Sequence, residues 1–308
     1  MNVLATVKKL VSNLTFVITL GIVIGFLTEG YPSEYLSDIS TVLLVIAMTL
    51  SLSHLSIRNI DIRLETKNFL ISLLLCYGML STVAILIGIS FFRQPDIQNG
   101  FVVIAAVPPA VMIIPITRIL NGNIKLSLFS LSLLYLISII LTPLVILLFS
   151  NANIPMVELF KSIILYIVTP LLVSRLVKKT RFPSEISTII INLCFLLIII
   201  GMIGGNKHFI FSNMKIMPFL SLALFIRTFG TGGITLWAAN KLHVPKDDQI
   251  PFALFASVKN EGLAMIFALS MFCCAATLPA VLSMFFELIW IGVLVRIKKA
   301  KNTMKTIG

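Results

Sequence analysis

Charge is what this sequence has least of. Only 12% of its 308 residues are Asp, Glu, Lys or Arg, about half the fraction carried by a soluble domain of ordinary composition. A water-facing surface cannot be built from so few charges, so a soluble fold is excluded. Histidine is scarce as well: His54, His208 and His243 are the only three, and they fall at the ends of apolar runs or between them. Intramembrane proteases and lipid-linked transferases need a nucleophile with a base, or carboxylates with a metal, at membrane depth. No Asp-rich motif and no matched Ser and His inside a run supplies one. The chain is therefore not read as an enzyme, and neither a cofactor nor a metal is expected. Asp247-Asp248, just after Pro245, reads as a solvated turn. The four cysteines, Cys76, Cys194, Cys273 and Cys274, have no Cys-x-x-Cys spacing and lie in or beside apolar segments, where Cys packs as a small hydrophobe.

What is abundant is apolar length: 58% of residues are hydrophobic and the mean hydropathy is +1.06. The runs are continuous rather than alternating, which disfavours an outer-membrane barrel and predicts an all-α integral membrane protein. At about 20 residues per span, ten spans fit, near residues 11–28, 39–56, 68–92, 99–120, 126–149, 159–176, 186–204, 216–242, 250–272 and 278–295. The amino-terminal run has no small-residue cleavage site after it and is taken as the first retained helix. The net charge of +12 would suggest nucleic acid in a soluble protein; here the partner is the lipid bilayer, and no nucleic acid is expected. In a membrane protein the placement of the cations decides topology.

With a cytoplasmic amino terminus, the inner segments hold Lys8 and Lys9; Arg58, Arg63 and Lys67; Arg118 and Lys125; Arg175, Lys178, Lys179 and Arg181; Lys241 and Lys246; and Arg296, Lys298, Lys299, Lys301 and Lys305. The outer segments hold only Arg93, Lys161, Lys207 and Lys215, while Arg227 and Lys259 fall inside spans. Both termini are placed in the cytoplasm, in a multi-pass protein of the cell membrane. Ten spans also divide into two five-helix units, residues 1–150 and 151–308, which must be inverted relative to one another. The interruptions at Pro108 and Lys259 lie 151 positions apart, at equivalent places in the fourth and ninth spans. Paired interruptions of this kind point to a transporter binding site near the bilayer midplane.

The fourth span carries Pro108-Pro109-Ala110-Val111, with Pro115 following; two successive prolines remove two backbone donors and break the helix. The ninth carries Lys259-Asn260-Glu261-Gly262. A charge at the bilayer centre costs about 2.5–3.5 kcal/mol even on permissive scales, so such residues face a protein cavity and have a task. Arg227 in the eighth span and Glu287 in the tenth are further in-membrane charges. Arg227 could pair with Glu261 or Glu287, or hold an anionic group. We assign Pro108, Pro109, Ala110, Val111, Asn260, Glu261, Gly262, Arg227 and Glu287 to substrate binding, and Lys259 and Glu261 to coupling.

At these residues the chain resembles the bile acid:sodium symporter superfamily. The resemblance spans nearly the whole length: Met48-Thr49-Leu50-Ser51, Pro108, Asn121-Gly122-Asn123 with Leu126-Ser127, Thr142-Pro143, and Asn260 with Gly262-Leu263-Ala264. It implies two inverted five-helix repeats, a panel domain from spans 1, 2, 6 and 7, and a core domain in which interrupted helices 4 and 9 cross. It also implies transport of organic anions, usually with sodium. At the positions of the family's sodium ligands, however, this chain has Cys76, Ile113, Ile114, Phe255 and Lys259, with only Ser127 and Asn260 retained. Sodium is a hard cation that needs several oxygens, which these side chains do not supply. The expectation is a secondary active transporter that moves a small organic anion by alternating access, proton-coupled or uncoupled, with Lys259 replacing a sodium ion. Auxin efflux carriers are the related alternative family. The alternatives in function are a sodium-coupled organic anion symporter and a non-transporting sensor on the same fold.

Overall fold

The computed structural model describes residues 8, 10–53, 62–150, 152, 155–179 and 183–307. Lys9, His54, Arg58 and Arg181 lie outside the described residues. Those residues form helices and connecting turns, with no strand among them. In chain order the helices are α1 (Leu14–Leu27), α2 (Ser33–Ser53), α3 (residues 62–91), α4 (Pro95–Ala106), α5 (Ile113–Ile119), α6 (Ile124–Phe149), α7 (Met156–Lys179), α8 (Ser184–Gly205), α9 (Lys207–Ser212), α10 (Ile216–Lys241), α11 (Lys246–Phe255), α12 (Glu261–Met271) and α13 (Leu278–Ile307). Seven helical segments, found in α2, α3, α6, α7, α8, α10 and α13, are at least 20 residues long and apolar enough to cross a membrane. With α1 and α12 as shorter apolar helices, this is an integral membrane protein.

The pattern of exposure follows from a lipid solvent. On α6, Leu136, Ile140, Leu144 and Leu148 are exposed at four-residue spacing, while Leu131, Leu134, Tyr135, Ser138 and Thr142 are buried. Apolar groups thus face outward and hydroxyls inward, because a polar group in hydrocarbon has no partner. Small residues bring backbones close. An added Cβ on Gly25 of α1 would lie 2.7 Å from Ile203 on α8, and one on Gly204 would lie 2.2 Å from the backbone N of Gly30, itself at φ +70°. Helices α1, α2, α7 and α8 pack on one another, and α3 to α6 with α10 to α13 form a second packed group.

Three helices contain π-helical stretches: Leu74–Leu80 in α3, Ile164–Val168 in α7 and Ile226–Gly230 in α10. A π insertion leaves backbone carbonyls off the regular ladder and recurs at functional sites. The hydroxyl following the first stretch, on Ser81, contacts the Cys76 carbonyl at 3.1 Å, and that following the third, on Thr231, contacts the Arg227 carbonyl at 2.5 Å.

Two breaks interrupt the second group. Helix α4 ends at Ala106 before Pro108-Pro109, residues 107–112 are not helical, and α5 resumes with Pro115 in its first turn, where a missing N–H costs nothing. Helix α11 ends at Phe255, residues 256–260 turn, and Asn260 caps α12 by accepting from the Leu263 N–H at 3.1 Å. The breaks touch: the Asn260 N–H donates to the Pro108 carbonyl at 2.9 Å.

Candidate functional site

A helix that stops in the membrane interior leaves its last carbonyls without partners, and at the end of α4 the carbonyls of Ala105, Ala106, Val107 and Pro108 are met from other elements. Thr142 Oγ1 of α6 donates to the Ala106 carbonyl at 2.8 Å, and Asn260 takes Pro108. The carbonyls of Ala105 and Val107 accept from the Lys259 ammonium at 3.0 and 2.9 Å. The third ammonium hydrogen goes to Ser81 Oγ at 3.1 Å, and Ser81 donates in turn to the Ala105 carbonyl at 2.6 Å. The Tyr77 ring lies 4.1 Å from Nζ, in the geometry of a cation–π contact. Cys76 is fully buried in the same π-helical stretch as Tyr77. Lys259 is 1% exposed and forms no ion pair with a carboxylate among the described residues. Its charge rests on neutral oxygens at the negative end of a half-helix.

The second centre is carboxylate-rich. Arg227 Nη1 lies 3.1 Å from Oε1 of both Glu261 and Glu287, and it also donates to Ser283 Oγ. Ser283 donates to Glu261 Oε1 at 2.8 Å, and the Lys259 backbone N–H to Glu287 Oε1 at 3.0 Å. Of the two roles open to Arg227 from sequence, pairing is the one it occupies. Asn260 Nδ2 donates to Tyr135 Oη at 2.8 Å.

A cavity of about 690 Å³ lies between the two packed groups of helices. Of its lining residues Lys259, Asn260, Glu261, Gly262 and Glu287 are buried and form its inner end beside half-buried Val111, whereas Ser12, Arg118 and Ser184 are exposed and mark its mouth. Arg227 is fully buried behind that wall. A Cβ on Gly262 would strike the Phe195 ring at 2.4 Å, so glycine is what lets α12 begin against α8.

The remaining sequence candidates are dispersed. Pro108, Pro109 and Ala110 are buried in the first break, Ile114 faces the cavity, and Ile113 and Phe255 are fully buried. The Ser127 hydroxyl is taken by Thr117 Oγ1 at 2.9 Å. Asp247 and Asp248 sit in the first turn of α11, where the Asp248 carboxylate accepts from Asn123 at 2.8 Å. No group of three or more His, Cys, Asp and Glu able to hold a metal occurs among the described residues. Ser81, Tyr77, Ser283 and the α4 carbonyls were not singled out from sequence. Only Ser283 carried a signal, four residues before Glu287 on one helix face.

Apolar helices facing outward around a buried charged site at paired breaks define a polytopic membrane transporter. The chain belongs to the SBF-like CPA transporter family, whose model matches residues 8–299. This agrees with the resemblance to bile acid:sodium symporters and implies a transport role. No curated protein matches the chain.

Proposed function

We propose that the protein is a secondary active transporter of the cell membrane that moves a small organic anion by alternating access, with Lys259 standing as a tethered cation where sodium-driven relatives would bind sodium. The observation that carries this reading is the seat of the ammonium: three oxygens, from Ser81, Ala105 and Val107, surround it at 2.9–3.1 Å. Such an oxygen cage suits a monovalent cation, and here the cation is covalently attached. A bound charge that cannot leave cannot supply a sodium gradient's energy, so any coupling falls to protons.

The anion preference is supported by Arg118 at the cavity mouth and by the N-terminal turn of α12, which begins at the inner wall with its positive dipole end. Two inverted five-helix repeats, residues 1–150 and 151–308, are supported by the recurrence of a π stretch and then a break, each about 150 residues apart. In that arrangement α1, α2, α7 and α8 are the panel and the second group is the core. The positive-inside pattern puts both termini in the cytoplasm, so the cavity, which opens beside Ser12 and Ser184, faces inward.

The test is uptake of labelled small carboxylates into proteoliposomes, first under a sodium gradient and then under a proton gradient. Uptake that follows the proton gradient and is unchanged when choline replaces sodium is expected. Sodium-driven uptake would remove the tethered-cation role, and binding without flux would favour a sensor.

A further inference from the structure

Two carboxyl groups and one guanidinium do not balance. Among the described residues Arg227 is the one cation paired with Glu261 and Glu287, because the Lys259 ammonium is turned toward α4 and only its backbone N–H reaches Glu287. A guanidinium nitrogen has two hydrogens, yet three acceptors converge on Nη1: Ser283 Oγ and the two Oε1 atoms. Nε and Nη2 of Arg227, which could grip a second carboxylate, have no partner among the described residues. Both Oε1 atoms lie 3.1 Å from the same Nη1, so the two carboxyl groups are crowded around one nitrogen, and two ionised carboxylates have no hydrogen to place between them. Carboxylates sharing a buried site do not both ionise.

We infer that Glu261 and Glu287 share one exchangeable proton and form the proton-carrying site of the transporter, a conclusion that rests on the transport reading above. The proton's entry point is Glu261 Oε2, which is buried without a donor on a residue of the cavity wall. The other groups facing the pair are Arg227 from α10, Ser283 from α13 and the Lys259 backbone N–H from the second break. Loading transfers a proton from cavity water to a carboxylate oxygen, and release returns it to water on the other side, with no other bond changed. When the pair is loaded, Arg227 balances the remaining carboxylate and the charge of Lys259 is left over, so the inner end of the cavity accepts one anion. When the pair is empty, the four charges cancel and that attraction is lost. Proton and anion therefore favour each other's binding and travel together.

The test needs no known substrate. Infrared difference spectra of the protein in liposomes, stepped in pH in light and heavy water, are expected to show one deuterium-sensitive protonated-carboxyl band per chain. The band should be lost in both Glu287→Gln and Glu261→Gln, because the remaining carboxyl then pairs with Arg227 alone. Ser283→Ala, which keeps both acids, should retain the band at a shifted frequency and covers the case in which a glutamine variant fails to fold. A wild-type spectrum without the band, or a band unchanged in the variants, overturns the shared proton. Absence of any uptake with the band present would instead count against the transport reading.

Discussion

Lys259 has three ammonium hydrogens and three oxygens to receive them, and the consequence is a fixed cation rather than a mobile one. Removing it does not simply delete a charge, because the Val107 carbonyl is left buried without a donor. The same logic applies to Thr142, whose hydroxyl meets the Ala106 carbonyl. Thr142→Val keeps the shape and orphans the carbonyl, so it is expected to destabilise the protein by about 1–3 kcal/mol, read as an earlier thermal unfolding in detergent. At the exposed end, a hydrogen bond from Lys8 at 2.6 Å, and secondarily its charge, hold the Glu185 carboxyl below the ordinary carboxylate range. That contribution is present above the unfolded carboxyl's range and lost as pH falls through the lowered one. Both groups are solvent-exposed, so a small stability difference between wild type and Glu185→Gln is expected at neutral pH, vanishing in acid and in high salt.

At the scale of elements, the two breaks were legible in the sequence because their causes are residue types: Pro108-Pro109 cannot continue a helix, and Lys259 and Glu261 cannot lie in lipid. The π stretches were not legible. An insertion in the hydrogen-bond ladder leaves no mark in Ile226–Gly230 or Leu74–Leu80, yet these stretches carry Arg227, Cys76 and Tyr77 into the site. The α4 carbonyls that hold Lys259 were equally hidden, since a backbone acceptor has no residue identity. Glycines separate stability from function at this scale. Gly204→Ala would press on the Gly30 backbone, which cannot move aside, so loss of folded yield by fluorescence-detected gel filtration is expected. Gly262→Ala would press on the Phe195 ring, which can swing into the cavity. Near-normal yield with uptake reduced several-fold is expected there.

At the scale of the molecule, hydropathy made the membrane class readable before any geometry, because long apolar runs have few other uses, while the family was readable only from the resemblance carried by short motifs such as Asn121-Gly122-Asn123 and Asn260 with Gly262-Leu263-Ala264. The cavity was not readable, since it lies between α1 and α8 on one side and α5, α12 and α13 on the other, and contacts between distant spans are set by packing. Its mouth offers a check on sidedness. Cysteine introduced at Ser184 is expected to react with an impermeant thiol reagent in inside-out vesicles and not in right-side-out ones, and the reverse labelling would invert the topology. The central claim, that Lys259 occupies the place of a cation, is tested most directly by thermal unfolding of the purified protein in sodium against choline at constant ionic strength. A ligand that binds only the folded state raises its unfolding temperature. No sodium-specific shift is expected for wild type, and a clear upward shift is expected for Lys259→Gln, in which the cage is vacated and an amide oxygen added. A sodium-specific shift in wild type would contradict the account.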